Sequence, residues 1–259
     1  MKVFAKKIFP LFFILLLVFI ALFLFFPKKI TKEKIDNKIS QTVDKIEEVK
    51  ETIAPKPTKI LETGLPNYHL IKTNFIPQAP EKNWDQPWQD ACEESALLTG
   101  FYYFNGTNPT IPQIRDKIVE IIAYESKQGW GNSINLSKVR QIYNEYLGLK
   151  SDIIKDPTIE DIKNSLVNNR LVLVPAAGKI LFKENKYFKN GGPEYHALVI
   201  LGFDDDKQKF IVHDVGTQYG AYFKYSYSLL MESIHDFPDT NNKKDILLGV
   251  KKILILNSL

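Results

Sequence analysis

The chain has 259 residues, 44% hydrophobic and 25% charged, proportions that exclude wholesale disorder and collagen-like repeats. A single cysteine excludes an intramolecular disulfide and any zinc site built from several thiolates. The net charge of +4 is uneven: residues 1–60 carry 12 Lys against 6 Asp and Glu, and residues 61–259 carry 22 Lys and Arg against 24 Asp and Glu. The larger part therefore has no positive surplus for phosphates, which argues against nucleic acid as a partner.

In chain order, residues 1–7 are a short basic N-terminus. Residues 8–26 are an uncharged apolar run, broken only by Pro10. As a helix, 19 residues span about 28 Å, close to a hydrocarbon core. The exit Leu24-Phe-Phe-Pro-Lys28 is too bulky for a signal-peptidase site, so the run is expected to be one uncleaved transmembrane anchor. Lys2, Lys6 and Lys7 on one side and Lys28, Lys29, Lys32 and Lys34 on the other leave its orientation open. An anchor followed by a spacer suits a domain tethered outside the cytoplasm. Residues 27–60 are that spacer, Lys- and Glu-rich. Ile35, Ile39, Val43, Ile46, Val49 and Ile53 form a narrow stripe at helical spacing, the pattern of a coiled-coil seam, but fewer than three heptads favour a solvated stalk over self-association. Pro55 and Pro57 open a linker, and residues 61–259 are expected to be the folded domain.

Within that domain, helical spacing covers Cys92–Phe104, Pro112–Tyr124 and Asn135–Leu147, the last stopped by Gly148. Thr158 with Asp161 resembles a capping box opening a helix to Asn168. Short β-branched runs follow at Leu171–Ala176, Ala197–Phe203, Lys209–Asp214 and Val250–Leu256, with a polar hairpin loop over 203–209. Tyr225–His235 reads as one more helix. A helical half followed by an antiparallel sheet is an α+β domain.

Cys92, the only thiol, stands at a helix start, where the backbone dipole and unpaired N–H groups favour a thiolate. A lone cysteine is otherwise a small buried hydrophobe. Glu93 and Glu94 suit the first helical turn, but their charges oppose thiolate formation. Among four histidines, His196 opens the strand Tyr195-His-Ala-Leu-Val-Ile-Leu-Gly202, after the turn Asn190-Gly-Gly-Pro193, and suits a base at the mouth of a strand. His213 and Asp214 are neighbours in the next strand and point to opposite faces. If Asp214 orients His196, His213 is structural. His69 and His235 fit ordinary core or surface roles.

These segments carry a resemblance. Phe75-Ile-Pro-Gln-Ala-Pro80, Asn83-Trp-Asp85 and Asp90-Ala-Cys-Glu-Glu-Ser95 resemble the nucleophile region of C-39-like peptidases. Tyr195–Asp204 resembles their histidine strand. Phe210-Ile-Val-His-Asp214 resembles the strand of the third residue, with Val215 where the family usually has Pro. The resemblance spans about residues 66–257 and implies a papain-like cysteine peptidase fold, with Cys92 as nucleophile, His196 as base and Asp214 as orienter. It also implies a Gln that stabilises the oxyanion: Gln78 by motif, with Gln86 and Gln89 as alternatives. It implies a peptide or protein substrate and neither metal nor cofactor. The relatives best known trim leader peptides during bacteriocin export; without an ATP-binding or multi-span segment, that role is not expected here. A thiol amidase acting on cell-wall peptides would use the same groups, and an inactive peptide-binding module is the alternative of another class.

Overall fold

The computed structural model describes residues 64–258, so the expected N-terminus, anchor and stalk over residues 1–60 lie outside the described residues. Among those described, no helix is long and apolar enough to cross a membrane. The centre is a seven-stranded antiparallel sheet. Its strands are β1 (Tyr68–Leu70), β2 (Lys150–Lys155), β3 (Leu171–Ala177), β4 (Tyr195–Asp204), β5 (Lys209–His213), β6 (Phe223–Ser226) and β7 (Lys252–Asn257). Their order is β2-β7-β3-β4-β5-β6, with β1 paired to the C-terminal end of β4.

Every residue of β3 and β4 is buried. Their sequences are accordingly near-continuous apolar runs rather than alternating ones, as in strands covered on both faces. Pro175 is tolerated inside β3 because its carbonyl faces away from β4 and accepts from His235 N at 3.1 Å, beyond where β7 pairing stops at Leu171–Leu173. The missing N–H therefore falls where no ladder bond is required.

Helix α1 (Cys92–Phe104) packs on β4, with all residues from Cys92 to Gly100 buried. Helix α2 (Ile111–Lys127) opens with a capping box between Thr110 and Gln113, and it turns Ile114, Ile118 and Ile121 inward. Helix α3 (Leu136–Gln141) starts on the Asn135 cap and then widens into a π-helical turn over Ile142–Tyr146. Gly148, at φ 72°, takes the left-handed conformation that ends it. Helix α4 (Ile159–Val167) has the Thr158–Asp161 capping box that its sequence predicts. Helix α5 (Gly178–Leu181) is a single turn after β3, and α6 (Tyr227–Ser233) follows β6.

Two expectations are corrected. Residues 225–235 are not one helix: Phe223–Ser226 pairs with β5 and only Tyr227–Ser233 is helical, because Ser226 caps the helix by accepting from Leu229 N. The helical and sheet halves also interleave. Among the described residues, β1 precedes every α-helix, and β2 lies between α3 and α4.

The β4–β5 hairpin contains the irregularity that matters most for the site. Asp204–Lys209, Phe203–Phe210 and Gly202–Ile211 pair in one register; Ile200–Val212 and Val199–His213 pair in the next. Leu201 is the extra residue, a β-bulge. Its carbonyl accepts from Ile71 N at 2.8 Å on the β1 side. A Cβ on Gly202 would stand 2.2 Å from the His69 carbonyl oxygen, so the close approach of β1 beside β4 next to the bulge requires glycine there.

Candidate active site

A cleft of about 550 Å³ is lined by residues from four parts of the domain, among them Gln78, Cys92, Tyr187, His196, Gly216 and Tyr219. Cys92 comes from the first residue of α1 and His196 from the second residue of β4. Asp214 lies directly after β5 and is fully buried behind the imidazole.

His196 Nε2 is 2.9 Å from Asp214 Oδ1. The carboxylate is saturated with donors. Oδ1 also accepts from Gly216 N at 3.2 Å, and Oδ2 accepts from Asn185 Nδ2 at 2.9 Å and from the Tyr225 hydroxyl. Burial pushes the Asp214 carboxyl up, but the His196 charge and the hydrogen bonds from His196, Tyr225 and Asn185 outweigh it and hold the group below the ordinary range. An ionised acceptor on Nε2 fixes the proton there and leaves the Nδ1 lone pair as the basic site of the neutral ring. Phe188 meets the ring edge-on, with centroids 5.3 Å apart. Gly216 lies against it on another side: a Cβ there would be 2.6 Å from His196 Cε1.

The bulge explains why Asp214 rather than His213 stands here. Paired residues of antiparallel strands share a face. With His213 opposite Val199, Asp214 continues on the face of Leu198 and therefore of His196. His213 points the other way. Its Nδ1 accepts from Tyr222 N at 3.2 Å and its Nε2 donates to the Thr73 carbonyl at 3.2 Å. Burial pushes its pKa down to about 4, so it is a neutral core residue. Neither His69 nor His235 lines the cleft.

The three glutamines differ in burial and in access to the cleft. Gln78 is buried and lines the cleft. Its backbone N–H donates to the Val215 carbonyl at 3.0 Å, which ties it to the loop after Asp214. Its Nε2 donates to the Trp88 carbonyl at 3.0 Å, which orients the amide and leaves a second N–H. Gln86 is exposed, bonds Asp90 Oδ2 at 2.9 Å and does not line the cleft. Gln89 lines the cleft from an exposed position.

Cys92 differs from the expectation of a thiol eased toward ionisation by its helix terminus. It is 5% exposed, and its Sγ donates to Glu93 Oε2 at 2.9 Å. Burial, then the charge and hydrogen bond of Glu93, then the charge of Glu94 push the thiol well up; only the Ala197 backbone N–H, directed at the sulfur, works the other way. That N–H belongs to the residue after His196, so the sulfur sits against the start of β4. Ala91 offers no side-chain cap to α1, and the N–H of Cys92 is an unpaired first-turn donor.

Sequence reasoning missed Asn185, Tyr225 and Phe188. Each acts on His196 or Asp214 from a loop or an adjacent strand, and none has a local spacing signal that would reveal it. Among the described residues, no group of three or more His, Cys, Asp or Glu side chains is placed to hold a metal ion.

The Peptidase_C39 like family matches over residues 72–237. No curated protein matches the chain. Among solved structures, a protein of Bacillus anthracis described as a C39-like peptidase is 12% identical, with a TM-score of 0.47, over 74% of this chain and 98% of its own. Xylellain, a cysteine protease from Xylella fastidiosa, is 12% identical, with a TM-score of 0.42, over 80% of this chain and 94% of its own.

Proposed function

The chain belongs to the Peptidase_C39 like family and is a cysteine-type peptidase, and on that premise we propose that it hydrolyses peptide bonds through Cys92, His196 and Asp214. His196 takes the Cys92 proton on Nδ1, and the thiolate attacks the scissile carbonyl carbon. The developing oxyanion accepts from the Cys92 backbone N–H and from the free N–H of Gln78 Nε2. The imidazolium then protonates the leaving amine as the C–N bond breaks, leaving a thioester on Cys92. A water, deprotonated by His196, attacks that thioester and releases the acid product and the thiol. Asp214 holds the tautomer and stabilises the imidazolium in both halves.

The observation that supports this most is the buried His196–Asp214 bond, which leaves Nδ1 as the base in a ring that lines the same cleft as Cys92. Hydrolysis of a quenched-fluorescence peptide library by the full chain, by Cys92→Ala and by His196→Ala tests the reading. Turnover by wild type alone is expected; turnover by Cys92→Ala at the wild-type rate would overturn it.

We also propose that the apolar run at residues 8–26 tethers the peptidase domain to a membrane and presents it outside the cytoplasm. The run's length and lack of charge support this. External protease should digest the domain on intact cells; protection until the cells are opened would reverse the orientation.

A further inference from the structure

The Cys92 sulfur has a second ionisable neighbour, which the mechanism above does not use. Glu93 is 1% exposed, and its carboxylate is held at both ends: Oε2 accepts from the Cys92 thiol at 2.9 Å and Oε1 from Ile134 N at 3.1 Å. The Ile134 carbonyl in turn accepts from the Tyr195 hydroxyl at 3.2 Å. The clamp fixes the carboxylate beside the reacting atom from the loop before α3 and from β4.

We propose that Glu93 is a proton-operated switch on the nucleophile: ionised, it holds the Cys92 S–H and keeps its proton from His196; protonated, it donates its O–H to the thiolate. The inference rests on the Cys92–His196 reading. In the resting site the sulfur is a thiol, Glu93 is a carboxylate and His196 is neutral. Uptake of one proton from solvent converts this to thiolate, carboxylic acid and imidazolium. The sulfur gives up one proton, Glu93 and His196 gain one each, and the balance closes on the single proton taken up. No bond to carbon forms or breaks.

The surroundings favour a carboxyl that can change state near neutrality. Glu94 on the same helix and Glu125 on α2 place two further acidic groups nearby, and Tyr195 faces it from β4. Lys243, in the 3-10 turn before β7, is the opposing cation, and it is itself paired with Asp90. Burial dominates. It pushes Glu93 up to about 7 against the hydrogen bonds from Cys92 and Ile134 and the charge of Lys243. The thiol is then activated on the acid side of neutrality and suppressed on the alkaline side, the reverse of an unassisted thiol.

Alkylation of the full chain by iodoacetamide between pH 5 and 9 reads this directly, because Cys92 is the only cysteine. Wild type is expected to react fastest below about pH 7 and to slow by roughly tenfold per pH unit above it, the slope of one proton. Glu93→Gln carries a permanent donor in place of the acid. Its rate is expected to match wild type near pH 5.5 and to exceed it at least about tenfold at pH 8.5. A wild-type rate rising steadily from pH 6 to 9, or a Glu93→Gln profile that overlays wild type, overturns the switch. Should Glu93→Gln not fold, the wild-type profile alone decides. His196→Ala separates the two readings: if it alkylates as wild type does, the Cys92–His196 pair fails, whatever Glu93 does.

Discussion

His213 is paired with Val199 across the β4–β5 hairpin, one residue out of step with the pairing of Ile211 and Gly202. Were Leu201 paired with Val212 instead of bulged, the register set at the hairpin end would carry on unchanged. His213 would then face Ile200, on the same side as His196, and Asp214 would turn to the opposite side. A single bulge therefore decides which of two adjacent polar side chains stands behind the imidazole.

The two histidines should consequently separate by experiment. His196→Ala is expected to lower kcat by about 10³-fold or more, with the fold retained. His213→Ala removes a fully buried ring with two backbone hydrogen bonds. It should cost on the order of 3 kcal/mol of stability yet leave activity per folded molecule within a few-fold. Denaturant melts and kcat on both variants check this. The opposite ranking in activity would mean that His213 is the base.

Gly216 offers a test of positioning that leaves every polar group in place. A methyl group there would lie 2.6 Å from His196 Cε1 and 2.9 Å from Phe188 Cε1. The ring must move aside, and displacement of a reacting group by about 1 Å costs about 10²-fold in rate. Gly216→Ala is expected to lose activity on that scale, with a far-ultraviolet spectrum unchanged from wild type. Wild-type kcat in this variant would show that the imidazole does not need its present position.

The elements legible in the sequence are those whose pattern is local. The bounds of α1 follow from the spacing of Ala96, Leu97, Gly100 and Phe101, and β3, β4, β5 and β7 stand out as β-branched runs. Strand β2, Lys150-Ser-Asp-Ile-Ile-Lys155, is an edge strand with polar ends and sends no such signal. The helix expected over Tyr225–His235 takes in the last two residues of strand β6, because Tyr225 and Tyr227 suit either period and only the pairing with β5 distinguishes them. In the site, the resemblance points to Cys92, His196 and Asp214 by motif. Asn185 and Tyr225, which saturate Asp214, come from 29 residues before it and 11 after it, a proximity that only the folded sheet creates. The effect of Glu93 lay half-hidden: its charge is evident from the chain, but its 2.9 Å contact with the sulfur depends on a buried side-chain conformation.

Gln78, buried at the cleft, is the proposed oxyanion donor among the three glutamines. Gln78→Ala is expected to lower kcat by about 10²-fold, with KM little changed, since an oxyanion donor acts on the transition state and not on the bound substrate. Gln86→Ala should stay within a few-fold of wild type, because that side chain is exposed and engaged with Asp90. Gln89→Ala should resemble Gln86→Ala. Steady-state kinetics on the three variants check the assignment, and a large kcat effect confined to Gln89 would transfer the role there.

The acidic cluster under the start of α1 makes stability depend on pH in a direction that can be worked out. Burial raises Glu93 to about 7 and Glu125 to about 8, and it raises Glu94 well above the ordinary 4.5. Below pH 4.5 these groups are protonated in both folded and unfolded chains. As pH rises above that value, the unfolded chain releases the protons while the folded chain keeps them, so stability falls through the folded values and levels off only above about pH 8. Asp214 and His213 work oppositely: the lowered Asp214 costs stability only as pH falls below the ordinary carboxylate range, and His213, lowered to about 4, costs stability as pH falls below 6.5. Three raised carboxyls outweigh the one lowered imidazole, so the melting temperature is expected to be lower at pH 8 than near pH 5. Glu125→Gln removes one of the protons at issue, and the difference between pH 5 and pH 8 should shrink in that variant. A melting temperature that is flat or rises from pH 5 to pH 8 in wild type would mean that the three carboxyls are already ionised in the folded protein, and with them the negative charge beside Cys92.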